Sequence, residues 1–224
     1  MIAIRDLKLA LGDAHLDSLS LEIAAGEIYF LLNRPGHDRF FQILCGLRQP
    51  DAGEVVFSGG PPGTAAAVFI ERVVAAADYE TEAAVGDWID FLCAGCGYER
   101  ASVFKTLLVC GFHERHLKKK ARELAPDIFR QVYLAICLAA DSANLVIDDF
   151  IRGSEKSFEL KFNKLLLQRK AQGQAILYLG KDIFYASEIA DRVGFIKNGR
   201  LLFEADSADL KDMDIKDLYL KFLN

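Results

Sequence analysis

Apolar residues along this chain fall first into alternating runs, then into helical spacing, and finally into solid blocks. Ile2–Leu9 and Leu19–Ile23 alternate apolar and polar positions, which predicts half-buried strands. Glu27–Leu32, Gly53–Ser58 and Ala66–Ile70 predict three more strands, with a helix over Phe40–Leu47 among them. Gly59-Gly60-Pro61-Pro62-Gly63 reads as a turn. From Val85 to Ala140 the spacing becomes helical, with punctuation at Gly97, Gly111 and Pro126. Beyond it, Leu145–Ile147, Ala175–Leu179 and Val193–Ile196 are unbroken apolar runs, the signature of strands buried on both faces of a parallel sheet. Helical stretches over Phe158–Lys170 and Asp182–Ala190 separate these runs, giving a βαβ rhythm. The pattern predicts an α/β core with a helical insertion.

At 224 residues, one domain with a subdomain is expected. A net charge of −5 argues against a nucleic-acid binder, which needs a basic surface. Lys118-Lys119-Lys120 is the one notable basic run, and it reads as a solvated helix face. No stretch approaches the roughly 18 apolar residues of a membrane span, and Met1–Leu7 alternates like a strand rather than a signal peptide. A cytoplasmic chain is expected, so any action at a membrane requires another subunit to supply the membrane part.

Five cysteines without an export signal suggest reduced thiols. Cys93-x-x-Cys96 with Cys110, His113 and His116 has spacings that suit a tetrahedral zinc site. The run Trp88–Cys96 reads as helix, however, and cysteine is a common buried apolar residue, so packing is the preferred reading.

Between Ile28–Leu32 and Phe40–Leu47 lies Asn33-Arg34-Pro35-Gly36-His37-Asp38-Arg39, in the place of a phosphate-binding loop. Leu19–Ile28, the pair Ile43–Leu47 and Pro50–Val55, Asn144–Asp149 and Ala190–Leu201 recur in the order and separation of an ATP-binding cassette. The chain resembles, over essentially its whole length, the ATP-binding subunits of ABC transporters. The resemblance implies a P-loop NTPase-like ABC ATPase core with an N-terminal antiparallel β subdomain and a helical subdomain insertion. It places the RecA-like/β core at about 1–72 and 134–224 and the helical subdomain at about 73–133, within a single domain spanning 1–224.

A phosphate loop works by turning backbone N–H groups inward at a helix N-terminus, with a lysine on the β/γ-phosphates and a Ser/Thr on Mg²⁺. Here Gly36 is the one glycine left and Pro35 deletes an N–H. His37 stands where the resemblance places the lysine, and Asp38 and Arg39 where it places the Ser/Thr pair. Asp38 is expected to cap the following helix with its own carboxylate, putting negative charge where a phosphate would sit. Arg34 and Arg39 are candidate stand-ins for the lysine, but neither restores the N–H cradle.

The remaining positions implied by the resemblance change in parallel. An adenine-stacking aromatic is expected near Leu11, and a glutamine near Val74–Ala76, but both places are aliphatic. The signature Leu-Ser-Gly-Gly-Gln aligns with Leu124-Ala125-Pro126-Asp127-Ile128, where Asp127 is expected to repel a γ-phosphate. The switch histidine aligns with Lys181, which accepts no hydrogen bond when charged. Asp148 remains as a Mg²⁺-linked carboxylate, should Mg-ATP bind. Asp149 takes the catalytic glutamate's place one methylene short.

The expectation is a non-catalytic or strongly impaired ABC-type ATPase homologue, a structural or regulatory subunit of a membrane transporter complex, with no cofactor. Its expected partners are a transmembrane permease-like subunit and, as homodimer or heterodimer, another ABC ATPase subunit; no nucleic acid is expected. The expected place is peripheral, on the cytoplasmic face of the inner or plasma membrane. The alternative is an active ABC transporter ATPase of divergent sequence that hydrolyses Mg-ATP using Arg39 or His37, Asp148 and Asp149.

Overall fold

The computed structural model describes residues 1–10, 15–32, 37–71, 82–206 and 208–209, without the side chains of His37 and Asp38. They divide into two compact units. The first takes residues 1–69, 142–149 and 167 onward; the second takes 70–141 and 150–166.

In the first unit, β1 (Ile2–Leu9) pairs antiparallel with β2 (Leu16–Ile23) and with β4 (Ala52–Phe57). Ile2 faces Ile23 on one side and Phe57 on the other. The alternation of β1 breaks at Arg5 and Asp6, both exposed, where Asp6 has φ 47° and the register slips on both neighbours. Such a bulge re-aims the strand while leaving its apolar face on the core.

The second sheet of this unit has the strand order β5-β6-β7-β3-β8-β9. These are β5 (Ala67–Ile70), β6 (Asn144–Asp148), β7 (Ala175–Gly180), β3 (Ile28–Leu32), β8 (Arg192–Lys197) and β9 (Arg200–Asp206). The strands β3, β6 and β7 are buried at every residue, which is why their sequences are solid apolar blocks. Parallel pairing joins β6 to β7, β7 to β3 and β3 to β8, while β9 returns antiparallel on the edge. One core runs through Leu7, Leu19, Tyr29, Phe40, Phe57 and Leu177, so the two sheets share one apolar filling.

Asn144, fully buried at the head of β6, holds the start of this strand. Its Nδ2 donates to the carbonyls of Ser58 (2.9 Å) and Ala66 (2.6 Å), and the Ser142 hydroxyl donates to Ala66 as well (2.9 Å). The helix after β3, α1 (His37–Leu44), lies three residues N-terminal of the sequence expectation. It ends early because Gly46 turns to φ 74°, leaving Leu47 80% exposed. A Cβ at Gly46 would lie 2.7 Å from the Pro62–Gly63 backbone, so that turn requires glycine.

The second unit is built on α2 (Val85–Cys96), α3 (Arg100–Val109), α4 (Pro126–Cys137) and the first part of α5 (Lys156–Ala171). Gly97, at φ 70°, stops α2, with its N–H on the Cys93 carbonyl. Trp88 stacks on Phe129 with centroids 6.0 Å apart, and Phe150 packs among Tyr133, Phe158 and Phe162. The basic triplet is not on a helix face. Lys118 closes a short 3₁₀ turn, Lys119 and Lys120 are extended, and Lys120 pairs with Glu82.

Candidate functional site

Parallel pairing brings the carboxyl ends of β3, β6, β7 and β8 to one edge of the larger sheet. Leu32 stands beside both Gly180 and Phe195, and Asp148 beside Leu179. Leu32, the pair Asp148-Asp149 and Lys181 all stand at this edge. With neighbouring strands about 4.8 Å apart, the end of β6 lies about 10 Å from the end of β3. In open α/β sheets, ligands settle at this carboxyl edge.

The geometry of the edge is set by close backbone approach. Gly180 leaves room for Phe30, whose ring would lie 2.4 Å from a Cβ there. Phe30 stacks on Tyr178 at 4.7 Å, and Tyr185 closes the group edge-on. Past Gly180, Asp182 caps α6 (Ile183–Ile189), accepting from the N–H groups of Phe184 (2.9 Å) and Tyr185 (3.1 Å). Lys181 is exposed between the strand end and this cap.

Asp148 is 3% exposed and Asp149 8%. Asp149 has φ 42°, the left-handed region, and its N–H donates to the Leu179 carbonyl at 2.8 Å. The parallel ladder thus runs one residue past β6 while the backbone at Asp149 turns away. Aspartate tolerates that conformation better than glutamate, because a short polar side chain is compatible with the left-handed well. The resemblance implies the shorter side chain, but the backbone that favours it is visible only in the structure.

Residues 33–36 lie outside the described residues, as do Leu11 and 73–77. Arg39 is exposed on α1. The helix starts at His37, so Asp38 sits in its first turn and not at the cap position expected for it.

In the second unit, Leu124 is buried, and Ala125 and Pro126 are exposed at the start of α4, with Pro126 at its first position. Asp127 does not project a bare charge. Its Oδ1 accepts from Nη1 of Arg130, and its Oδ2 accepts from the Glu155 N–H at 2.8 Å. Arg130, 7% exposed, also donates from Nη2 to the Arg152 carbonyl at 3.1 Å. The carboxylate expected to repel a γ-phosphate is thus held by an ion pair and a backbone hydrogen bond. Sequence reasoning passed over Arg130, although the spacing Asp-x-x-Arg at the start of a helix marks such a pair.

Among the cysteines, Cys93 and Cys110 are buried and Cys96 is exposed. Burial pushes the Cys110 thiol up to about 12. Among the described residues, no group of three or more His, Cys, Asp and Glu is placed to hold a metal ion.

No protein-family model matches the chain. The SkfA peptide export ATP-binding protein SkfE of Bacillus subtilis is 26% identical over 201 residues, covering 85% of this chain and 82% of that protein. The phosphonates import ATP-binding protein PhnC of Hydrogenovibrio crunogenus is 21% identical over 227 residues, covering 93% and 84%. Among solved structures, an ATP-binding subunit of an ABC transporter superposes with a TM-score of 0.82 at 17% identity, over the full length of both chains. This chain is a homologue of ABC transporter ATP-binding subunits. A second ABC subunit, cbiO1 of Clostridium perfringens, part of the complex cbiONQ, matches with a TM-score of 0.77 at 19% identity, covering 98% and 94%. Among the described residues, no helix is long and apolar enough to cross a membrane, so this ABC ATPase fold carries no helical span of its own there.

Proposed function

We propose that the chain is a non-catalytic or strongly impaired ABC-type ATPase homologue, a structural or regulatory subunit of a membrane transporter complex. It pairs with another ABC ATPase subunit, or with a second copy, and docks on a transmembrane permease-like subunit through its helical unit. It works peripherally, on the cytoplasmic face of the membrane. The observation that carries this reading is the start of α4. Where the family presents a serine and two glycines to a γ-phosphate, this chain has Ala125, a proline without an N–H, and an aspartate already paired with Arg130.

The opposite half of an ATP site is equally thin in sequence, since 33–39 holds one glycine and no lysine. A charge-assisted hydrogen bond contributes about 1.5–3 kcal/mol. Without the lysine, several loop N–H contacts and the adenine stack, about 6–10 kcal/mol is forfeited, comparable to a whole micromolar binding free energy. The second reading, an active ABC ATPase using Mg-ATP, rests on Asp148 and Asp149 at the carboxyl edge of the sheet. Calorimetric titration of the purified chain with ATP, with and without Mg²⁺, separates the two. No saturable binding at micromolar ATP is expected; micromolar affinity would refute the proposal.

A further inference from the structure

We infer that the Asp127 carboxylate is an internal anion that occupies the N-terminal end of α4 and keeps this end closed to an external phosphate. The inference rests on the reading of 124–128 as the signature-equivalent segment, and it says what fills that segment's anion-facing end. Four features meet at the carboxylate. It ion-pairs with Arg130 one turn along the same helix. It accepts the Glu155 N–H at 2.8 Å. It sits at the positive end of a twelve-residue helix, where negative charge is stabilised. The guanidinium it neutralises is nine-tenths buried, with a side chain 9% exposed, and among the described residues its Nε has no hydrogen-bond partner.

A buried guanidinium demands an anion, because leaving it bare is far more costly than forming the pair. In this chain the anion is covalently supplied. An arriving phosphate would have to expel Asp127 from both Arg130 and Glu155 and then sit beside the displaced carboxylate. With the carboxylate gone, the same guanidinium and N–H would become an anion receptor. A carboxylate that only staples the 152–155 turn to α4 would leave no such receptor behind.

The two possibilities separate by chemical rescue in the full chain, read as thermal melting without nucleotide. Asp127→Gly is expected to lower Tm by about 5–10 °C, as loss of one partner of a mostly buried pair does. Inorganic phosphate at tens of millimolar is expected to restore at least half of that loss, while potassium chloride at matched ionic strength restores none. Asp127→Asn, which still fills the space, is expected to lose Tm without phosphate rescue, and the wild-type chain to show no phosphate-specific shift. Should Asp127→Gly not fold, Asp127→Ser is read by the same criterion. Absence of rescue in the small-residue variant, or an equal phosphate response in the wild-type chain, overturns the inference. Because no nucleotide enters the assay, ATP binding by the wild-type chain would sink the functional proposal above without deciding this one.

Discussion

Restoring the missing methylene at position 149 tests whether this chain is one side chain away from turnover. Asp149 stands at the end of β6 with φ 42° and 8% exposure, its N–H on the Leu179 carbonyl. Were the chain otherwise competent, Asp149→Glu would bring an activated water back by about 1 Å, a displacement that is worth ~100-fold in rate. The backbone argues for a different result. A longer side chain in the left-handed well costs about 1 kcal/mol. An extra methylene in a site this buried adds about 1 kcal/mol or more of overpacking. At about 2–4 °C per kcal/mol for a chain of this size, Asp149→Glu is expected to lower Tm by about 4–8 °C. Its ATPase rate, followed by phosphate release with saturating Mg-ATP, is expected to stay at the wild-type background. A rise approaching ~100-fold, with Tm unchanged, would refute both the backbone reasoning and the proposed lack of catalysis.

Three other expectations follow from particular contacts. Asn144→Ala removes the donor from the Ser58 carbonyl and one of two donors from the Ala66 carbonyl, at about 2 kcal/mol, so Tm should fall by about 4–8 °C in thermal denaturation. Arg5→Ala, which breaks an ion pair exposed on both sides, should move Tm by less than about 2 °C. Hydrogen bonding from Lys120, aided by the charge of Arg122, holds the Glu82 carboxyl below its ordinary 4.5. A depressed carboxyl contributes stability above its unfolded value and loses it as pH falls through its folded one. The Tm advantage of the wild-type chain over Glu82→Gln, followed against pH, should therefore vanish on acidification below that ordinary value. A gap that widens in acid would contradict the assignment.

Much of the fold could be read from the sequence because strand burial writes itself into composition. Solid apolar runs became β3, β6 and β7, alternating runs became β1 and β2, and Gly97 and Pro126 stand where helices stop and start. The end of α1 was misread because Leu47 continues the apolar pattern, yet the glycine before it turns the chain and leaves that leucine in water. Periodicity records which residues are apolar, not which are covered.

For the candidate site, residue identity was enough to say that 33–39 holds one glycine and no lysine, and that 124–128 holds neither serine nor glycine. Identity could not say what the replacements do. Asp127 looked like a repelling charge until Arg130 and the Glu155 N–H were found around it, because an electrostatic role depends on neighbours brought together by folding. Asp149 looked merely shortened until its positive φ appeared, because a backbone dihedral at a strand end is set by the ladder beside it. Local sequence determined the strands, the helices and which residue types stand at the candidate site. Only tertiary structure decided which of the remaining charges are already spent on one another.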